Sequence, residues 1–445
     1  MITENDIPAA RAPLLDEVVQ GSVDYNGLPA RRSKSGCWKS ASFIIVVQMA
    51  EIFAYWGISS NLISYLTGPL GQPTAAAAAN VNGWNATAML LPLLGAFIAD
   101  SFLGRYRTII IASLLYILGL GLLSLSALLH SHNYSSCKNN TYNSTFAPPL
   151  LEVTVFFFSL YLVAVAQGGH KPCVQAFGAD QFDEEDEHES KAKSSFFNWL
   201  CFSVNRGTLA ALLVLNYIQE NMSWELGFGI PCIVMCFALI VFLIGSMTYR
   251  FHVNSDERNP FVRISHVFVE AARNWRVASP VVGSIEEEAQ QVLPHENANF
   301  NSIHIVEKRR LSTAIQYGLV DLPEATVPMS IWWLAPQYLL FGIADVFTIV
   351  GLQEFFYDQI VGELKSIGAA LYFSIFGIGS FLSSLLISII EKVTSGNGHD
   401  SWFSNNLNRA HLDYFYWLLA GLSVVSMGIY VYFAKSYIYY KNDKI

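Results

Sequence analysis

The sequence predicts an all-α membrane protein of about nine transmembrane helices. Three observations carry that prediction. Of its 445 residues 53% are hydrophobic and only 14% are charged, well below the roughly 25% charge of soluble domains. Apolar runs of about 20 residues, long enough to cross a bilayer as helices, recur along the chain. Lysine and arginine collect in alternate loops, as they do on the cytosolic side of multi-pass proteins.

Met1–Lys39 contains Pro, Gly and Arg, lacks helical periodicity and reads as a disordered cytosolic tail. Its Leu14–Leu15 pair has no acid four residues before it, which weakens a sorting-signal reading. With no cleavable signal peptide at the start, the first hydrophobic span directs insertion. Six spans follow, near Phe43–Leu66, Ala77–Ala99, Thr108–Leu129, Leu150–Val174, Phe196–Tyr217 and Leu226–Thr248. Together they define an amino-terminal bundle over 40–249. Three more lie near Ile331–Phe355, Ile367–Ile390 and Tyr414–Phe433, within 329–435, and a short tail occupies 436–445.

Orientation follows from charge. Arg31, Arg32, Lys34 and Lys39 precede the first span, Arg105 and Arg107 lie between the second and third, and Lys191 and Lys193 between the fourth and fifth. The opposite loops hold only Lys138 together with the sequons at Asn133, Asn139, Asn143 and Asn221, which suit glycosylation away from the cytosol. The first six spans therefore begin and end in the cytosol. Residues 250–328 read as a cytosolic linker with an amphipathic helix near 259–277, where Phe261, Ile264, Phe268, Ala271 and Trp275 form one stripe. That helix lies on the membrane surface or is a soluble linker helix. Three further spans would leave the carboxyl terminus outside, yet Lys435, Lys441 and Lys444 favour the cytosol.

Scattered cysteines without a CxxC pair give no metal or redox motif, and the net charge of −9 implies no nucleic-acid partner. Lys171 is the residue that calls for function. A lysine inside an apolar span is costly unless it meets a partner or a watery cavity. Glu51, alone in the first span, raises the same demand. Asp180 and Asp183 resemble a carboxylate pair, but no nucleophile or metal constellation accompanies them, so the chain does not read as an enzyme.

GAFIADSFLGRYR at 95–107, GGHKPCVQAFGADQFD at 168–183 and LQEFFYDQ at 352–359 resemble the plant nitrate and peptide transporter family. That family is the proton-dependent oligopeptide branch of the major facilitator superfamily. FFNWLCFSVNRGTL at 196–209 is similar to a further family signature, departing from it at Cys201, Arg206 and Thr208. The resemblance implies a major-facilitator-like helical bundle with a complete six-helix amino-terminal half. The carboxyl-terminal half is incomplete: counterparts of family spans 10, 11 and 12 are present, and those of spans 7, 8 and 9 are absent, with the join near Ile303–Lys308. Loss of an odd number of spans accounts for the charge conflict. A spliced or truncated product and a native nine-span architecture are the two explanations.

The resemblance further implies secondary transport of nitrate, small peptides or other metabolites, driven by a proton gradient and needing no cofactor. The partners are a small-molecule or anion substrate and the lipid bilayer, in the plasma or vacuolar membrane. Glu51, Lys171 and Glu354 would couple the proton, Lys171, Glu354 and Tyr55 would bind substrate, and Asp100, Arg105 and Arg107 would form a hinge. Where the family carries two acids and a base in span 1, this chain has Gln48, Glu51 and Ile52, and a glutamine cannot take up and release a proton. Arg206 is considered as a substitute base for Glu51. Trp84, Trp199, Trp332, Trp333 and Tyr338 line a cavity or serve as packing and interfacial residues. The alternative role is a non-transporting membrane protein that pairs with or regulates full-length relatives.

Overall fold

In a bilayer an unbroken apolar segment satisfies its backbone by folding as a helix, and the computed structural model is built of such helices. It describes residues 18–140, 149–183, 186–252, 306, 308–322, 326–336, 338–344, 348, 365–395, 401–404, 406 and 409–434. Among these, eight helices are long and apolar enough to span a membrane: Cys37–Thr67, Thr74–Leu103, Arg105–His132, Leu150–Ala179, Glu187–Asn221, Trp224–Gly245, Ala370–Thr394 and Leu412–Phe433. They correspond to eight of the runs read from the sequence. Of the remaining run, the described residues show a 3-10 turn at Ile331–Leu334 and helical residues to 344. The 259–277 stripe, Leu14–Leu15, Asn143, Glu354 and the carboxyl-terminal lysines lie outside the described residues.

Two compact units are present: residues 1–72, 80–257 and 369–381 form the first, and 73–79, 258–368 and 382–445 the second. The first contains α1 (Cys37–Ser59), α2 (Leu62–Thr67), most of α3 (Thr74–Ile98), α4 (Arg105–Asn140), α5 (Leu150–Ala179), α6 (Glu187–Ala210), α7 (Asn216–Asn221) and α8 (Trp224–Gly245). Short π-helical segments, Ala99–Leu103 and Ala211–Leu215, prolong α3 and α6. Small residues let these helices approach closely, as membrane helix packing favours. A Cβ on Gly119 would lie 2.8 Å from the Val163 side chain, and one on Gly95 would lie 2.1 Å from the carbonyl oxygen of Gly168. That carbonyl has no intrahelical donor four residues on, because the residue there is Pro172. The α3–α5 crossing thus sits one turn before Lys171.

At the basic end of this unit, Ile44, Val47, Ile109, Val174, Phe177, Phe242 and Tyr249 form a buried core. At the other end, Tyr65 stacks on Phe156 at 4.9 Å and meets Trp224 and Phe228 edge-on. The amino-terminal segment is not disordered throughout, which corrects the sequence reading. β1 (Val18–Val23) pairs antiparallel with β2 (Pro29–Arg31) and with β3 (Phe251–His252), in the order β2-β1-β3. The β-branched VVQGSV run favours a strand, and the Asp24 side chain accepts from the backbone N–H groups of Asn26 and Leu28 to fix the turn. Lack of helical period here marked a strand.

A polar latch fastens this sheet to the helix ends. Arg250, 1% exposed, holds Glu189 bidentately at 2.6 and 3.0 Å and donates twice to the carbonyl of Ser35. The Gln181 side chain accepts from the Arg250 N–H and donates to the Arg250 carbonyl. Gly36, at φ 78° and ψ −162°, passes so close that an added Cβ would lie 2.1 Å from Arg250 Nε.

The second unit has its own core of Ala75, Ile387, Ile390 and Phe403. It contains most of α9 (Lys365–Thr394) and all of α10 (Leu412–Ala434). Asn406 donates to the Val320 carbonyl, and Arg409 pairs with Asp321.

Candidate functional site

α1 and α5 bring together the polar groups at the centre of the first unit. Gln48, Glu51 and Gln167 are fully buried. The spacing of three in α1 sets Gln48 one turn before Glu51, and its Nε2 donates to Glu51 Oε2 at 3.1 Å. From α5, Gln167 Nε2 donates to Oε1, also at 3.1 Å. Each carboxylate oxygen therefore receives an amide N–H. Arg206 does not take this role. It is exposed and lies over the Phe202 ring at 4.6 Å, four residues back on its own helix.

One turn beyond Gln167 lies Lys171, 7% exposed. Its ammonium is 4.3 Å from the Phe373 ring centroid and 5.6 Å from that of Tyr55. Among the described residues no carboxylate lies within ion-pair distance of it. Cation–π contacts of this kind contribute about 0.5–2 kcal/mol, less than the desolvation of a buried charge. The neighbouring His170 is sealed, with both ring nitrogens unpartnered among the described residues and its ring edge-on to Tyr116.

Tyr55 is held firmly. It stacks on Trp84 at 5.6 Å, and the Trp84 indole N–H donates to the Leu160 carbonyl at 2.9 Å. Trp84 is thus a packing residue, while Trp199, Trp332 and Tyr338 are exposed. At the basic end, Arg105 donates through Nε to Asp100 at 3.0 Å and through Nη1 to both carboxylate oxygens of Asp180 at 2.8 and 2.7 Å. This joins the α3–α4 turn to the end of α5. Arg107, grouped with that hinge from sequence, is exposed and apart from the pair. Asp183 pairs with Arg32 at 2.5 Å, so Asp180 and Asp183 serve separate cations. Asn221 is exposed at the end of α7. Asn133 and Asn139 fall on the last turns of α4, where only the backbone is described.

A family model described as the POT family (PTR2) matches residues 106–317 and 300–403. This chain belongs to the POT family. Protein NRT1/PTR FAMILY 5.10 of Arabidopsis thaliana is 49% identical over 543 residues, covering 95% of this chain and 97% of that protein. NRT1/PTR FAMILY 5.14 of the same plant is 44% identical, covering 97% and 99%. Only 95% of the 445 residues take part in that 543-position alignment, so about 120 of its positions have no residue of this chain opposite them.

Solved POT structures share the fold. The in meso crystal structure of the POT family transporter PepTSo superposes with a TM-score of 0.61 at 18% identity, covering 90% of this chain and 99% of that one. An auto inhibited POT family peptide transporter gives 0.63 at 18% identity, covering 91% and 98%. The chain is therefore a multi-pass membrane protein of a transporter family and not an enzyme.

Sequence reasoning did not find Gln167, Asn85 or the Arg250–Glu189 latch of this POT member. Gln167 sits four residues before Lys171, so helical spacing already placed both on one face. Ser35 and Arg250 are 215 positions apart, and no local pattern joins them.

Proposed function

We propose that the chain is a proton-coupled secondary carrier that moves nitrate, a small peptide or a related metabolite by alternating access around a midplane site. One observation carries this reading: Lys171 is buried between aromatic rings, with no carboxylate in ion-pair range among the described residues. A buried cation demands an anion. The substrate supplies one, and Glu354, outside the described residues, is the counter-acid when substrate is absent.

Tyr55 forms one wall of the substrate position, its ring fixed by Trp84. Glu51 is the acid that exchanges the proton in the first unit, since the other acid position of the family motif holds Gln48. Asp100, Arg105 and Asp180 steady the turn between α3 and α4 through the cycle, with Arg107 on the exposed side. The basic end faces the cytosol of a cell in whose plasma or vacuolar membrane the carrier resides. Asn133, Asn139, Asn143 and Asn221 are the glycan acceptors of the opposite side.

The gap in the alignment favours a second reading. About 120 unmatched positions are enough for three helices of about 20 residues with their loops. The two family-model matches overlap at 300–317, around the join near Ile303–Lys308. On this reading the chain lacks family spans 7, 8 and 9 and is a non-transporting protein that pairs with full-length relatives. Uptake of labelled nitrate and of a labelled dipeptide into proteoliposomes under a pH gradient tests both. Saturable flux lost in Glu51→Gln and Lys171→Ala supports the carrier. Absence of flux, with co-purification of a full-length relative, supports the second reading.

A further inference from the structure

Asn85 of α3 lies beside the same site. Its side-chain oxygen accepts from the Tyr55 hydroxyl at 3.1 Å and from the Ser59 hydroxyl at 3.4 Å, two donors one turn apart on α1. Among the described residues nothing accepts from its Nδ2, and that atom is not one of the sealed polar atoms. The amide is therefore committed on its oxygen and vacant on its nitrogen. In a membrane span a vacant donor is unfavourable unless water or a ligand accepts from it.

Other polar groups in the vicinity narrow the ligand. Tyr55, which binds Asn85 through its hydroxyl, meets Lys171 through its ring. Both oxygens of Glu51 already receive amide N–H groups. The side-chain oxygens of Gln48 and Gln167, without a partner among the described residues, are buried away from any ligand. Among the described residues, what remains open around Tyr55 is an ammonium and an amide NH2, both donors. A planar oxyanion matches that set, because its coplanar oxygens accept from two directions while its charge meets the lysine.

We propose that Asn85 is a specificity-determining residue whose Nδ2 donates to a planar oxyanion, nitrate or a carboxylate, held at Lys171. The inference rests on the reading of Lys171 as a substrate group. Asn85 favours anions whose oxygens lie apart in one plane over spherical anions, which must meet both donors from a single point. Tyr55, clamped by Trp84, keeps the amide turned so that its nitrogen stays available.

The test uses the full chain in nanodiscs, titrated with sodium nitrate, sodium acetate and sodium chloride and followed by thermal shift. Nitrate and acetate distinguish the two sources of the oxyanion, and chloride is the spherical control. Asn85→Asp keeps an oxygen for Tyr55 and Ser59 but removes the donor, and Asn85→Ala removes both. For whichever planar anion the wild type binds, Asn85→Asp is expected to weaken affinity about tenfold or more. Asn85→Ala weakens it several-fold and leaves chloride affinity unchanged, whereas the charge added in Asn85→Asp lowers chloride affinity too. Lys171→Ala weakens every anion that binds. If Lys171→Ala abolishes binding while both Asn85 variants match the wild type, or if both lose chloride as strongly as nitrate and acetate, the role of Asn85 is overturned and the site stands. If the wild type binds none of the three, or Lys171→Ala changes nothing, the site reading falls together with this inference.

Discussion

Replacing Gly36 by alanine should destabilise the first unit. Two costs add. At φ 78° and ψ −162° the residue occupies a region essentially reserved for glycine, at a cost of about 1–3 kcal/mol for other residues. The new Cβ would also stand 2.1 Å from Nε, 2.3 Å from Cζ and 2.6 Å from Cδ of Arg250. That side chain has no slack, since its guanidinium is fixed by Glu189, Ser35 and the Gln181 carbonyl. Displacing one member of a buried pair costs about 3–5 kcal/mol. The sum is at least about 4 kcal/mol, and at ~2–4 °C per kcal/mol for a unit of this size the melting temperature falls by on the order of 10 °C. Gly104→Ala is the control, because Gly104 has φ 76° and ψ 147° with nothing within 4 Å of an added Cβ. It carries the conformational cost alone. Thermal melts of the purified chain in detergent, read by size-exclusion fluorescence, compare the two. Equal losses for both, or a Gly36→Ala chain within 2 °C of wild type, would refute the latch as a stabilising element.

Arg250→Ala should itself cost about 3–5 kcal/mol by stranding Glu189, whereas Arg105→Ala, whose partners Asp100 and Asp180 are about one quarter exposed, should cost only about 1 kcal/mol; melting temperatures of the two variants check the ranking. Gln48→Leu and Gln167→Leu each remove one donor from the same carboxylate, at about 1–3 kcal/mol, and their double variant should depart from additivity by at least about 0.5 kcal/mol in a double-mutant cycle. Additive losses would mean that the two amides do not share Glu51. Burial, aided by the nearby Tyr106 hydroxyl, pushes the Tyr249 phenol well above its ordinary value. The unfolded chain then loses that proton first, so the titration of Tyr249 leaves stability unchanged up to about pH 10 and lowers it above, by up to ~1.4 kcal/mol per pH unit. Tyr249→Phe should be neutral or stabilising at pH 7, since the hydroxyl is sealed without a partner among the described residues, and its melting temperature should fall less steeply between pH 9 and 11.

Helices were legible because their signal is local: a run of about 20 apolar residues has one outcome in lipid. The three-stranded sheet was not, because β3 is two residues long and its partner lies at the far end of the first unit's sequence. Lys171 and Glu51 stood out as charges in apolar runs, which is an energetic signal and needs no partner to be seen. Their surroundings were less accessible. Gln48 is three residues from Glu51 and could be read from spacing, but Gln167 comes from another helix. Arg206 illustrates the limit: its real neighbour, Phe202, was four residues away, while the partner considered for it from charge alone was on α1. Asp180 and Asp183 look alike in sequence and differ only because Arg105 and Arg32 reach them from separate elements.

The position of the latch in the chain bears on how the protein is made. Arg250 and the strand Phe251–His252 follow α8 at once, and all their partners, from Val18 to Glu189, precede them. A ribosome delivers the amino terminus first, and domains fold as units as they emerge. The clasp over the first six spans therefore needs no residue beyond His252 and can close while the linker is still being synthesised. Whatever is gained or lost downstream reaches a bundle whose basic end is already tied, so a change in the later spans need not leave the earlier ones unfastened.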